Sequence, residues 1–431
     1  MSETKIKVAE MFAGVGGFHL GLRRASDAFE VVWADQYEPG RLNQFAYEIY
    51  KHKFPKTFVT NENISEVEKA KIPDMNLLVG GFPCQDYSVA STKAEGLYGK
   101  KGVLWWDIKE VIEEKWPQFI FLENVDRLLA SPGVKSSQPG RDFGMILKTL
   151  AGLGYGATWK MINAADYGHP QRRRRTFIFA FREDTEFMKT VHRVNKDSIL
   201  EVEEFLMTMA PLTSTLRNKS VQNIEFVDLN QYKSLPEFSQ KFLVKRGFKK
   251  TGFMTDGEVV MADYEPKLKK ALPLKKIIEP NNEDISLYLT PEKKAKFTEL
   301  KAGFRTTKIS KTGFEYRYGM GAIPYPDSLD KPARTMVTSE HTVSRMSHVV
   351  MDPGNGKLRL ISPVEAEKIN TFPKNWTKLE GVTTPNRYFA MGNALVVNLV
   401  KEIGLEIEKL ANLEDFNKSF YSKRKVERVD H

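Results

Sequence analysis

The amino-acid sequence predicts an α/β fold, a doubly wound and mostly parallel sheet that carries a second, smaller and irregular domain. Over the first 185 residues, short apolar and β-branched runs alternate with helical patterns. Such an alternation is typical of a parallel sheet with helices on both faces. After Glu183 the chain becomes rich in lysine and loses long periodic segments, which indicates a domain of a different kind.

The elements of the predicted sheet follow one another regularly, because each apolar run ends in loop residues and most are followed by an amphipathic pattern. The predicted strands are 6–12, 30–35, 76–81, 119–124, 157–163 and 174–182. The predicted helices are 18–25, 40–54, 103–116, 143–154, 362–372 and 393–411. From this order we expect a catalytic and cofactor-binding domain over 1–183, a target-recognition domain over 184–384, and a C-terminal segment 385–431 that returns to the first domain.

Composition narrows the class of protein. The chain has 431 residues, of which 41% are apolar, and its net charge of +10 favours a polyanionic partner. The single cysteine excludes an intrachain disulfide and a cysteine-based zinc site. Because we find neither a membrane-spanning run nor a signal-peptide pattern, we expect a cytoplasmic protein without membrane contact. We also expect a monomer.

A glycine-rich turn, "FAGVGG" at residues 12–17, follows the first strand and opens a helix. This layout is that of a Rossmann first turn, although the pattern G-x-G-x-x-G fails because His19 stands where a glycine would be required. Asp35 ends the second strand, about where an acidic residue meets a ribose hydroxyl pair. We therefore predict a site for an adenosine-containing cofactor.

The only cysteine, Cys84, stands in "GGFPCQDYS" after the predicted strand 76–81, and Glu123 ends the predicted strand 119–124. Both positions are carboxyl ends of strands, where open α/β sheets bind ligands. A lone cysteine is usually an inert small hydrophobe, but a Gly–Gly–Phe–Pro turn followed by polar residues is a poor place for core packing. A thiol that attacks an electron-poor ring, beside an acid that protonates the ring, is a coherent pair of roles.

Five motifs occur together and in order: "FAGVGG", "GGFPCQDYS", "FLENV", "YGHPQRRRR" and "RYFAMGNALVVNLV". In this the sequence resembles the DNA (cytosine-5)-methyltransferases, over residues 6–182 and 331–400. The resemblance implies a Rossmann-like S-adenosylmethionine methyltransferase fold. It also implies methyl transfer from S-adenosylmethionine to C5 of a cytosine in a specific double-stranded DNA sequence, within a restriction–modification system.

The resemblance also implies catalytic roles. Cys84 would add to C6 of the target cytosine and Glu123 would act as the acid at N3. Arg173 and Arg175 match the two arginines of the family motif, and we assign Arg175 to the base and Arg173 to a backbone phosphate. Asn124 would brace the cysteine loop. Since a thiol cannot reach a base inside a duplex, the cytosine would be flipped out, as the general rule for methyltransferases states.

The cofactor pocket implied by the resemblance draws on several parts of the chain, and no metal is expected. Its predicted residues are Phe12, Val15, Gly17, Asp35, Gln36, Asn63, Ile64, Pro83, Leu104, Asn393 and Ala394. Two of them depart from the family pattern, because Asn63 stands where the family often has an aspartate and Gln36 where an aromatic residue is common. The contacts to the adenine ring are therefore the least defined by the sequence.

DNA contacts are expected outside the catalytic domain as well. The lysine-rich segment 184–330 is predicted to read DNA, and the block 331–370 to orient that domain. Residues 89–102 suit a loop that closes over the flipped base, with a plain surface loop as the alternative. A cognate restriction endonuclease can accompany such an enzyme, but no stable protein partner is required.

Three other functions compete with this hypothesis. A tRNA-modifying enzyme of the same family is disfavoured by the long basic insert. A Rossmann-type oxidoreductase would explain "FAGVGG" and Asp35, but it leaves Cys84, Glu123 and "QRRRR" unexplained. A catalytically inactive DNA-binding relative is disfavoured because both the thiol and the carboxylate are present.

Overall fold

The computed structural model describes residues 5–82, 104–132, 138–209, 212, 216–309, 313 and 315–414. The chain divides into two compact units. The first contains the described residues of 1–163, 174–268 and 397–431, and the second contains 164–173 and 269–396. Among the described residues, no helix is both long and apolar enough to cross a membrane.

The first unit is built on one sheet of ten strands, in the order β3-β2-β1-β4-β5-β7-β6-β9-β10-β8. Its strands are β1 Ile6–Met11, β2 Phe29–Asp35, β3 Phe58–Thr60, β4 Leu77–Gly81, β5 Phe119–Val125, β6 Tyr155–Asn163, β7 Arg174–Arg182, β8 Asn218–Asp228, β9 Thr251–Thr255 and β10 Glu258–Pro266. Its helices are α1 Gly17–Ala25, α2 Phe45–Lys53, α3 Leu104–Lys115, α4 Arg141–Gly152, α5 Glu186–His192, α6 Ile199–Glu204, α7 Leu235–Lys241 and α11 Val397–Ala411. The predicted doubly wound α/β fold is confirmed.

The pairing direction changes along the sheet. Strands β1 to β5 pair in parallel, whereas β7, β6, β9, β10 and β8 continue the sheet in antiparallel pairs. The chain order reverses between β1 and β4, and open sheets bind ligands outside the carboxyl ends at such a switch point. Because β7 runs antiparallel to β5, its first residues lie at the same edge as the end of β5.

The last helix of the first unit packs closely on the first. A Cβ on Gly21 of α1 would lie 2.5 Å from the Cβ of Val400 in α11, so only glycine allows this approach. The predicted helix 393–411 begins only at Val397, because the preceding helix Thr384–Asn393 ends at Asn393 and the backbone of Ala394 is extended. Residues from Val397 onward therefore belong to the first unit, while Asn393 belongs to the second.

The observed boundaries differ from the predicted limits 1–183, 184–384 and 385–431. Residues 218–266 form β8, β9 and β10, and β9 pairs with β6 from Ala157 to Lys160. Their backbone hydrogen bonds thus extend the central sheet, and this attaches most of 184–268 to the first unit. The lysine-rich composition did not reveal this, because the outer strand β8 is polar and largely exposed.

The second unit has little regular structure. It contains α8 Pro291–Lys301, β11 Phe304–Ile309, β12 Glu315–Met320, β13 Val349–Met351, β14 Leu358–Leu360, α9 Pro363–Ile369 and α10 Thr384–Asn393. A small apolar cluster is formed by Leu287, Leu289, Phe297, Val349 and Leu360. Ionic groups add to this core, because the fully buried Arg359 pairs with both Asp352 and Glu365. The predicted second, smaller and irregular domain is thereby confirmed as a feature of the fold.

Candidate active site

The candidate active site lies at the carboxyl edge of the parallel strands in the first unit. The turn after β1, Asp35 at the end of β2, Phe82 after β4 and Glu123 near the end of β5 all come to this edge. The antiparallel strand β7 contributes its first residues, with Arg175 directly opposite Val125. Side chains far apart in the sequence thus meet in one place.

Glu123 and Arg175 form the ion pair of this edge. The Nε atom of Arg175 lies 2.7 Å from Oε1 of Glu123, and both side chains are mostly buried. The two residues are diagonal neighbours on facing strands, since Glu123 is opposite Phe177 and Val125 opposite Arg175. Diagonal neighbours share one face of a sheet, and long side chains can bridge them. The two groups predicted to contact the base therefore lie together.

Asn124 connects this pair to the segment that leads to the cysteine. Its Nδ2 donates to the carbonyl of Phe82 at 2.8 Å, and its Oδ1 accepts from the backbone N–H of Val125 at 2.8 Å. The side chain is 1% exposed. The prediction that Asn124 braces this part of the chain agrees with the contact to Phe82. Cys84, Pro83 and the predicted loop 89–102 lie outside the described residues.

The glycine-rich turn has an unusual backbone. Phe12, Gly14 and Gly16 all have positive φ, of 55°, 55° and 83°. Gln36 holds the turn, because its Oε1 accepts from the N–H of Gly14 at 2.6 Å. Within the part of the chain that the structure describes, no heavy atom lies within 4 Å of the position that a Cβ on Gly14 would take. The turn therefore leaves space beside its backbone, as the approach of a ligand requires. Val15 and Gly17 are buried in the turn and at the start of α1.

One carboxylate oxygen of Asp35, Oδ1, is buried and accepts no hydrogen bond from the described residues. The side chain of Asp35 is 2% exposed. Burial, followed by the nearby charge of Asp107, raises its pKa to about 8. A buried carboxyl group is costly unless it is hydrogen-bonded, and a pair of ribose hydroxyls would supply the missing donors. The residues present thus fit the adenosine part of S-adenosylmethionine.

The other predicted cofactor residues of the first unit occupy the neighbouring segments. Asn63 accepts from the N–H of Ser65 at 3.3 Å through Oδ1, so this oxygen is engaged within its own turn. Ile64 is buried in the core, and its carbonyl accepts from Nζ of Lys69 at 2.6 Å. Leu104 begins α3 and packs partly buried against the same core.

The arginines of "QRRRR" have different surroundings. Arg173 is 2% exposed and belongs to the second unit, where it donates to the carbonyls of Gly392 at 3.0 Å and Met336 at 3.4 Å. Arg172 and Arg174 are exposed. In the extended chain, successive side chains point in opposite directions, which explains the alternation. Arg173 thus holds two segments of the second unit together, a role that the motif did not suggest.

Asn393 and Ala394, predicted to close the cofactor pocket, end α10 in the second unit. Asn393 is exposed and Ala394 half-buried. The preceding Gly392 packs so closely on Thr338 that a Cβ would lie 2.3 Å from its backbone nitrogen. The end of α10 is therefore fixed within its own unit.

Sequence reasoning missed a buried acid in the first strand. Glu10 is fully buried, and burial raises its pKa to about 8. The hydroxyl of Tyr50 donates to its Oε2 at 3.0 Å, and His19 contacts the same hydroxyl at 3.0 Å. The signal was a single charged residue inside the apolar run "VAEMF". Among the described residues, no group of three or more His, Cys, Asp or Glu could hold a metal ion.

Comparison with known proteins identifies the class. The family described as C-5 cytosine-specific DNA methylase matches residues 6–409. The chain belongs to this family, and it is a DNA cytosine-5 methyltransferase, as the motifs predicted.

Individual relatives agree with this assignment. The chain is 41% identical to "Type II methyltransferase M.Sau3AI" of Staphylococcus aureus, over 95% of this chain and 97% of that protein. It is 33% identical to "Type II methyltransferase M.HhaI" of Haemophilus parahaemolyticus, over 42% of this chain and 50% of that protein. The solved structure of a Spodoptera frugiperda DNMT2 mutant has a TM-score of 0.57 at 15% identity, covering 94% and 99% of the two chains. That last likeness shows the fold alone.

Proposed function

We propose that the chain transfers a methyl group from S-adenosylmethionine to C5 of a cytosine in a specific double-stranded DNA sequence, through a covalent bond between Cys84 and C6. The observation that carries this proposal is the register of β4 and β5. Glu123 lies directly opposite Gly81, and Gly81 precedes Cys84 by three residues. The acid and the start of the cysteine segment are therefore neighbours.

The chain's residues would act on the base in sequence. The Cys84 thiolate forms a bond to C6. The electron pair of the C5–C6 double bond then shifts towards C4 and N3. Glu123 gives a proton or a hydrogen bond to N3, and Arg175 binds O2, so that the ring can accept these electrons. When bound, S-adenosylmethionine supplies an electrophilic methyl group to C5. Loss of the C5 proton to a base then expels the thiolate from C6, and the return of any proton from N3 to Glu123 restores the neutral aromatic ring.

Cofactor binding is assigned to the turn after β1 and to the end of β2. Asp35 would accept hydrogen bonds from the ribose hydroxyl groups, and the backbone around Gly14 leaves room for the ligand. Phe12, Val15, Gly17, Gln36, Ile64, Pro83 and Leu104 complete this proposal, with Asn63, Asn393 and Ala394 as further contacts. Arg173 is assigned a positioning role, because its guanidinium is buried against carbonyl groups.

The substrate is proposed to be duplex DNA with the target cytosine flipped out. A thiol cannot reach C6 inside a base stack, and extrusion of the base is the usual solution for methyltransferases. The net charge of +10 supports binding to a polyanion. A role in a restriction–modification system is proposed because of the likeness to Type II methyltransferases.

A trapping assay tests the covalent step. The protein is incubated with S-adenosylmethionine and duplex DNA that carries 5-fluorocytosine, and the mixture is separated on a denaturing gel. Fluorine at C5 cannot leave as a proton does, so the bond between Cys84 and C6 should persist and retard the protein. The retarded band should be absent with Cys84→Ser. Wild-type protein that gives no band on pooled DNA of many sequences would contradict the proposal.

Two further measurements define the substrate. Transfer of a tritiated methyl group should occur to DNA and not to tRNA, and labelling of tRNA alone would indicate the RNA-modifying branch of the family. Methylated plasmid should resist a subset of restriction enzymes in a digestion panel, which would narrow the recognition sequence. Cleavage by every enzyme of a broad panel would argue against protection as the function.

A further inference from the structure

The second unit carries a two-stranded ribbon, defined as β11 Phe304–Ile309 and β12 Glu315–Met320. All six residues of β11 are exposed, and only Tyr318 of β12 is half-buried. The strands form a sheet of their own, with no third strand among the described residues. A solitary hairpin is only marginally stable in water. Its persistence without a packing layer therefore calls for a separate explanation.

The base of the ribbon is firmly anchored. Arg345 donates to the carbonyls of Leu300 and Ala302 at 2.7 and 2.8 Å on one side, and to the carbonyl of Gly321 on the other. One guanidinium thus fastens both ends of the hairpin. The preceding helix is fixed as well, because the buried Lys301 donates to the carbonyl of Ser347 at 2.6 Å. The ribbon is exposed, yet its position in the second unit is well defined.

The side chains of the ribbon are unusual for a solvated surface. Four exposed large hydrophobic residues occur within these two strands: Phe304, Ile309, Tyr316 and Met320. Arg305 and Arg317 have no ion-pair partner among the described residues, and Lys308 lies over the ring of Tyr318 at 3.8 Å. Against these three cations the strands carry a single acid, Glu315. Exposed apolar groups combined with unpaired positive charge are typical of a binding surface for a polyanion.

The register places the two arginines together. Thr307 is opposite Arg317, and Arg305 is opposite Gly319. Because side chains alternate along a strand, Arg305, Thr307 and Arg317 share one face, whereas Lys308 and Tyr318 belong to the other. The absence of a side chain at Gly319 leaves Arg305 without a bulky cross-strand neighbour. The arginine face thus presents two guanidinium groups on diagonal neighbours, and the same face carries Ile309 and Glu315.

We infer that this ribbon enters the major groove of the substrate DNA, with Arg305 and Arg317 reading guanine edges and Lys308 contacting phosphate. The major groove admits a two-stranded β-ribbon, and bidentate arginine–guanine contacts are the commonest specific ones. Ile309 lies on the arginine face and would contact a thymine methyl group, whereas Phe304, Tyr316 and Met320 lie on the Lys308 face and would contact the sugar–phosphate backbone. This inference rests on the proposed function and assigns base contacts that the sequence did not identify.

The test compares two triple variants that remove equal charge. One is Arg305→Ala/Lys308→Ala/Arg317→Ala in the ribbon. The control is Lys71→Ala/Lys401→Ala/Lys409→Ala, which removes exposed lysines of the first unit that lie outside 184–330. Binding of a fluorescein-labelled mixed-sequence duplex is measured by anisotropy at several salt concentrations. The ribbon variant should bind at least about ten-fold more weakly, with a salt slope reduced by one to three, and the control should change far less.

Equal losses in the two triple variants, or no loss in the ribbon variant, would overturn the inference. Binding of S-adenosylhomocysteine by both variants shows that they are folded. Tritium transfer by the wild type is recorded separately on the same DNA. Absence of transfer contradicts the proposed function, whereas a selective loss of binding in the ribbon variant still supports the ribbon as a DNA contact.

Sequence reading is tested with Arg305→Lys/Arg317→Lys. This variant keeps the charge, so non-specific binding should persist, but lysine cannot make the bidentate contact. Tritium transfer is measured on each fragment of a restriction digest, and sequence preference is the label in the best-labelled fragment divided by the average label per fragment. In the variant this ratio should fall about ten-fold. An unchanged ratio would overturn the assignment of these arginines to base edges.

Discussion

The carboxylate of Glu123 and the guanidinium of Arg175 are in direct contact, with Oε1 and Nε 2.7 Å apart on antiparallel neighbours β5 and β7. The contact places a carboxyl group and a permanent cation at the edge where β4 leads towards Cys84. Neither residue is near the other in the sequence. The pairing of the strands alone brings them together.

Glu123→Gln should slow methyl transfer by at least about 100-fold, because an amide cannot deliver a proton to N3. Binding of S-adenosylhomocysteine should remain, since the cofactor is assigned to other residues. Single-turnover transfer of a tritiated methyl group measures the effect. Glu113→Gln on the exposed face of α3 is the matched control. Equal rates for Glu123→Gln and this control would remove Glu123 from its role.

Asp35 should make cofactor affinity depend on pH. Its pKa is raised to about 8 in the folded protein, and ribose hydroxyls bind the ionised carboxylate better than the acid. Ligand binding therefore releases a proton below this pKa. The affinity for S-adenosylhomocysteine should rise as the pH increases towards 8, and then level off.

Calorimetric titration between pH 6 and 9 provides the measurement, and Asp35→Asn provides the control. The ligand's own α-amino group titrates in the same way with both proteins, so the contribution of Asp35 is the difference between them. The same carboxyl should make the apo protein less stable as the pH rises from 4 to 8, because the unfolded chain has already lost the proton that the folded chain keeps. Identical pH profiles for wild type and Asp35→Asn would contradict both expectations.

Asn124→Ala should affect both stability and activity. The carbonyl of Phe82 would lose its buried donor, at a cost of about 1–3 kcal/mol in the free energy of unfolding. The segment before Cys84 would also lose its anchor, so the rate of methyl transfer by the folded protein should fall.

Asn76→Ala is the matched control, because Asn76 is buried just before β4 at the opposite end of that strand and accepts from the N–H of Lys7 at 2.9 Å. It should cost similar stability, as judged by urea unfolding, but leave the rate of transfer per folded molecule unchanged. A comparable loss of rate in both variants would show that Asn124 acts only through stability.

Alanine substitutions of the four arginines in "QRRRR" should have different effects, some on stability and some on methyl transfer. Arg173→Ala leaves the carbonyls of Met336 and Gly392 without this donor and should cost more than about 2 kcal/mol in unfolding free energy. Arg172→Ala and Arg174→Ala, at exposed positions, should stay within about 0.5 kcal/mol of wild type. Arg175→Ala should chiefly reduce methyl transfer. Urea unfolding and tritium transfer give the two readouts, and a stability of Arg173→Ala equal to that of its neighbours would contradict its positioning role.

Much of the first unit follows from the sequence. Apolar runs bounded by loop residues predicted the strands up to β7, except the short edge strand β3, because both faces of a buried sheet need apolar side chains. The positive φ at Gly14 and Gly16 and the buried Asp35 also agree with the local pattern, since a tight turn and a strand end are local features.

Other features were set by contacts between distant segments. The polar strand β8 gave no periodic signal, and it joins the sheet only through its backbone hydrogen bonds to β10. Arg173 and Arg175 share one motif, yet the first is buried against carbonyls and the second pairs with Glu123. The sequence by itself determined the family, the order of the strands and the chemistry of its candidate groups, because these depend on residue type and local spacing. Only the tertiary structure decided which groups touch, because strand pairing and burial join residues that are far apart along the chain.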